Sequence, residues 1–179
     1  MRVAGRCGIC ARQRVCGMAV AMMAWMLAIP LLGLTTGLRS MTPMAVVCWF
    51  AFLGYLPVEG TWAGWVGWLW VAIVWTLLAI LELLADKLPH MPDRISRWPL
   101  LWRLLMGGLA GAVAATAMVG PGIEGVLLAV IGTLLGAFGG YMIRRDLVER
   151  IGCKDWQIAL AEDAFTIAAA GFALHVITG

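Results

Sequence analysis

The chain has 179 residues, of which 63% are hydrophobic and 13% charged, and its mean hydropathy is +0.92. Soluble domains carry about 25% charged residues, so a water-exposed globule cannot hide this much apolar surface, and lipid must solvate most of it. The net charge of +3 sits on bases in short inter-helix segments, which suits lipid phosphates and topology control rather than nucleic acid.

Residues 1–17 form a basic arm with Arg2, Arg6, Arg12, Arg14 and the cysteines Cys7, Cys10 and Cys16. Bases before an apolar run resemble a signal-peptide n-region. However, 18–36 is long enough to span and no small-residue cleavage site follows it, so an uncleaved anchor is expected. Met18, Met22 or Met23 would serve as alternative starts, leaving the arm outside the native chain. Cys7-x-x-Cys10 lacks a second Cys/His pair at ligand spacing, so neither zinc nor any cofactor is expected. Residues 18–179 read as one transmembrane helical domain.

A spanning helix needs roughly 20 apolar residues. Five segments qualify: 18–36, 65–85, 100–119, 123–143 and 156–177. Segment 44–56, bounded by Pro43 and Pro57, reaches only roughly 20 Å against an apolar core of about 30 Å. It reads as a short, tilted or re-entrant helix, which needs protein or water over its ends. The expected fold is thus an all-α polytopic bundle of about five full spans plus one short helix.

Loop charge bears on topology. With five crossings, every base but Arg39 falls on the cytoplasmic side. With six, the bases from Arg39 onward share one side and the four arginines of the arm lie opposite. The positive-inside rule favours five crossings, N-terminus in and C-terminus out, in the inner membrane. Trp62, Trp65 and Trp68, Trp98 and Trp102, and Trp156 mark span ends at headgroup level; Trp25 and Trp75 are placed deeper, packed against neighbours. Gly132, Gly136 and Gly140 line one helix face and Gly107 and Gly111 another, so the third and fourth long spans are expected to pack tightly through them. Gly33 and Gly37 offer a further close approach.

The informative charges are few. Arg39 lies between two apolar runs, where a guanidinium needs water, a carboxylate or a ligand. Glu82 and Asp86 share one helix face four residues apart, with Lys87 at the boundary. Glu162 and Asp163 lie inside the last span; adjacent acids cannot both face one partner, and Glu162, with Thr166, is placed toward the bundle. Three readings stay open: charges that clamp helices together, charges that line a passage for an ion or small polar solute, and acids that do catalytic work at the lipid boundary. The chain has no nucleophile elbow, His-Glu-x-x-His or P-loop, so no catalytic or metal residue is assigned. His90 and Asp93 read as a capped turn, and Cys48 as packing. Five or six short helices leave little room for a pathway, which makes a homo-oligomer worth weighing.

The motifs Gly37-Leu38-Arg39-Ser40-Met41-Thr42-Pro43, Glu82-Leu83-Leu84-Ala85-Asp86-Lys87-Leu88-Pro89, Gly136-Ala137-Phe138-Gly139-Gly140-Tyr141 and Glu162-Asp163-Ala164 resemble the bacterial membrane family called domain of unknown function 4126, over roughly residues 32–170. The resemblance implies a polytopic inner-membrane protein and supplies no substrate. The expectation carried forward is a small transporter or channel-like protein with Arg39, Glu82, Asp86 and Glu162 at its polar site; the alternative is a structural or partner-binding membrane protein whose charges are clamps.

Overall fold

A computed structural model describes residues 25–85, 97–151 and 155–178, whose regular structure is helical throughout. The basic arm with its cysteines, Asp86, Lys87, His90, Asp93 and Cys153 lie outside the described residues. The helices are α1 (Trp25–Leu38), α2 (Met41–Phe52), α3 (Leu69–Ala85), α4 (Arg97–Ala117), α5 (Gly122–Ile151) and α6 (Asp155–Thr178), with a 3-10 turn at Gly64–Gly67 before α3. Three stretches, Trp98–Ala117, Gly122–Asp146 and Leu160–Thr178, are long and apolar enough to cross a membrane. Trp25–Leu38, Thr42–Phe52 and Leu69–Ala85 are apolar but shorter. The chain is therefore a helical membrane protein, with three such helices among the described residues where about five were expected.

Helix boundaries depart from the apolar segments for local reasons. Segment 44–56 gives a helix starting at Met41, because Pro43 is tolerated in a first turn, where its missing N–H is not needed. That helix stops at Phe52 because Gly54 takes a left-handed φ of 79°. Gly54 N then donates to Ala51 O and Tyr55 N to Phe50 O, the paired bonds of a Schellman cap. Residues 53–68 form turns, so α3 begins at Leu69 rather than 65. At the other extreme α5 runs past residue 143 to Ile151, since hydropathy marks where apolar surface ends and not where a helix ends.

α4 closes with the same cap: Val119 N donates to Thr116 O and Gly120 N to Ala115 O. Here the left-handed position is held by Val119, at φ 55°. The glycine stands one residue later because a Cβ on Gly120 would strike the Trp25 ring. Trp25 thus packs beside the α4 cap, and both it and Trp75 pack against the core. Val119 is 96% exposed, so it gains no packing in return for its strain. Val119→Gly is expected to raise stability by about 0.5–1 kcal/mol, the relief of about 1–2 kcal/mol less the glycine's added chain entropy, read as a higher midpoint in detergent unfolding.

Contacts fix the helix directions. Cβ atoms on Gly132 and Gly136 would overlap the carbonyls of Pro30 and Leu34, so α1 and α5 run parallel at backbone contact. Gly107 faces Thr133, while Gly111 faces Ala129 and Gly125, so α4 packs antiparallel on α5. The Gly132/Gly136 face therefore serves α1, and a neighbouring face of α5 (Gly125, Ala129, Thr133) receives Gly107 and Gly111. Trp49 Nε1 donates to Thr76 Oγ1 at 2.9 Å, which sets α2 antiparallel to α3. Trp62 Nε1 donates to Thr116 Oγ1 at 3.0 Å, bringing the α2–α3 connection to the end where α4 meets α5. α1 and α2 thus form a hairpin whose tip, Arg39–Ser40, lies inside the bundle. Trp25 and Thr178 stand at the same end.

Candidate functional site

The hairpin tip gathers charge from three other helices. α1 ends at Leu38 and α2 begins at Met41, leaving carbonyls of one helix and amides of the other without helical partners. Glu82, near the end of α3, meets the amides: Ser40 N and Ser40 Oγ donate to its Oε1 at 3.0 and 2.7 Å, and Met41 N donates to its Oε2 at 2.9 Å. Arg103, in the second turn of α4, meets the carbonyls: its Nη1 donates to Gly37 O and to Leu38 O. A carboxylate at a helix N-terminus and a guanidinium at a helix C-terminus both complement the macrodipole, each interaction contributing about 0.3–2 kcal/mol.

The third contact comes from α6. Arg39 Nε lies 2.6 Å from Asp163 Oδ1. Arg39 is only 1% exposed and Asp163 6%, so this ion pair is closed off from solvent. An ion pair in such a setting contributes little net free energy as a pair, but removing one member strands the other. Arg103, 7% exposed, is nearly as deep. Thr35, Thr36, Thr133 and Thr166 surround the tip with hydroxyls that donate to backbone carbonyls of their own helices, which keeps them compatible with an apolar interior.

The predicted residues fall into place unevenly. Arg39, Glu82 and Asp163 all hold the tip. Glu162, placed toward the bundle from sequence, is half-buried beside Gly140, whose position leaves room for it and for Leu38. Asp163 receives Arg39, and the inward face of α6 runs through Asp163, Thr166, Ala170, Ala173 and Leu174. Asp86 and Lys87 lie outside the described residues. Arg103 falls inside segment 100–119 yet counts in the charge tally as a loop base; its enclosure by Trp98, Leu100, Leu101, Trp102, Leu104 and Leu105 was the sign that it belongs to the span. Cys48 is fully buried in α2. Among the described residues no three His, Cys, Asp or Glu side chains are grouped as metal ligands.

No protein-family profile, curated protein or solved structure matches the chain, and its functional reading rests on this geometry.

Proposed function

We propose that the intramembrane charges are internal clamps that lock the α1–α2 hairpin into a polytopic bundle, and that the protein acts as a structural or partner-binding membrane component. The observation that carries this reading is the Arg39–Asp163 pair, 2.6 Å apart and closed to solvent. A transport ligand site needs charges that water or solute can reach. In this reading α1 and α2 enter the bundle as a hairpin, and Trp25 and Thr178 lie on one side of the membrane. The end bearing Arg97, Arg144 and Arg145 faces the cytoplasm by the positive-inside rule; the end of α6 is then outside, as expected, and the start of α1 is outside too, opposite to expectation. Membership of the family called domain of unknown function 4126, and with it the bacterial inner membrane, belongs to the same proposal.

One observation favours the second reading, a small transporter for an ion or polar solute. Glu82 and Glu162 are only half-buried, and helix ends meeting at a charged cluster are a common transporter device. Glu82→Gln separates the two. A clamp loses one of its acceptor oxygens, leaves Met41 N facing an amide N–H, and is destabilised by roughly 1–3 kcal/mol. A transport site stays folded and loses ion- or pH-dependent flux in proteoliposomes. If the variant keeps both its unfolding midpoint and its flux, neither reading stands.

A further inference from the structure

α2 stops at Phe52 while α6 continues to Thr178. Beside the end of the shorter helix this leaves a groove of about 490 Å³, open on one side and lined by Phe50, Tyr55, Gly171, Phe172, His175 and Thr178. The volume falls within the roughly 300–1,000 Å³ of small-molecule sites. Gly171 makes the concavity, since a Cβ there would meet nothing within 4 Å. Phe50, Phe172 and the Tyr55 ring form apolar walls.

Phe172 lines the groove and is itself exposed, and both helices that border it carry further exposed apolar side chains, Phe165 and Ile167 on α6 and Trp49 and Phe52 on α2. Its polar groups are graded by depth. Gly171 and Phe172 lie on the deeper side. Thr178 is about 10 Å further along the helix, and it and His175 form the rim toward the membrane surface, with Tyr55 also lining the groove. Exposed Trp62, Trp68 and Trp70, in and just after the α2–α3 connection, mark this as a headgroup-level end.

We propose that this groove is a phospholipid site, with one acyl chain lying along Phe50, Gly171 and Phe172 and the phosphate-ester region accepting hydrogen bonds from Tyr55 and His175. An apolar floor with donors at the interfacial rim matches a lipid's own polarity profile, and the exposed apolar side chains on the bordering helices give the chain a lateral entry. The site is separate from the hairpin tip and does not depend on the clamp reading.

The test uses full-length protein in phosphatidylethanolamine–phosphatidylglycerol vesicles with a phosphatidylglycerol tracer carrying a diazirine in its acyl chain. Photolabelled peptides are read by mass spectrometry. Label is expected to concentrate on 50–55 and 171–175 relative to the exposed α5 positions Leu135 and Phe138. Gly171→Leu, which fills the groove without backbone overlap, should cut that label about tenfold, equivalent to about 1.4 kcal/mol of binding. Gly139→Leu, at another glycine whose Cβ meets open space, should leave it unchanged and controls for folding and insertion. Equal labelling of wild type and Gly171→Leu overturns the site. A dimer that occludes the groove, excludes the tracer and dissociates in Gly171→Leu also overturns it, in favour of a second copy of the chain.

Discussion

Replacing Arg39 by alanine is expected to destabilise the bundle by about 3–5 kcal/mol. The loss comes less from the missing attraction than from Asp163, which would remain buried on α6 with its counter-charge gone. Asp163→Ala should cost a similar amount by leaving the guanidinium behind. The double variant Arg39→Met/Asp163→Leu removes both charges and refills their volume, and should recover most of the stability, since well-packed apolar residues often replace a buried ion pair at no net cost. Unfolding in mixed dodecyl maltoside–SDS micelles measures all three. The clamp is refuted if Arg39→Ala stays within about 0.5 kcal/mol of wild type, the range of an ordinary surface change. No recovery in the double variant would place the importance of Arg39 in a contact other than Asp163.

The membrane class, the helical character and the special standing of Arg39 were legible from composition and from one charge between apolar runs. The partner of Arg39 was not. Glu162 and Asp163 are adjacent, only 100° apart on a helix, and the small residues Ala169, Ala170 and Ala173 fit an inward face for either. The difference is set by how α6 seats against α2, which is tertiary information. Arg103 was missed for a related reason: a base near a span end reads as a loop charge until another helix is seen to end against it. Span lengths were legible only in part: three helices among the described residues are long and apolar enough to cross, where about five were expected. α2 is short since Gly54 caps it, and the turns of residues 53–68 bring the chain on to meet α4 at Thr116. The glycine stripes identified surfaces of close approach, but a stripe does not name its partner, and Gly132 and Gly136 turned out to serve α1.

Those same glycines should give the other large effect. Gly37→Ala and Gly136→Ala are each expected to destabilise the protein by an amount at or above the upper end of about 1–3 kcal/mol for overpacking. The atoms that a new methyl would overlap are the backbone carbonyls of Thr133 and Leu34, which have no rotamer to escape into. Helices α1 and α5 must separate instead, and at Gly37 the separation also moves the carbonyl that Arg103 caps. Gly107→Ala should be milder, because the nearest atom there is the Thr133 hydroxyl, a side-chain group that can turn away. Gly139→Ala should be neutral or slightly stabilising: its Cβ meets open space, and alanine is the better helix former by about 1 kcal/mol. The graded order of four identical substitutions, read as unfolding midpoints in one detergent system, tests the packing directly. Helix propensity alone would make all four stabilising, so loss at Gly37 and Gly136 beside no loss at Gly139 is the outcome that only backbone contact between α1 and α5 produces.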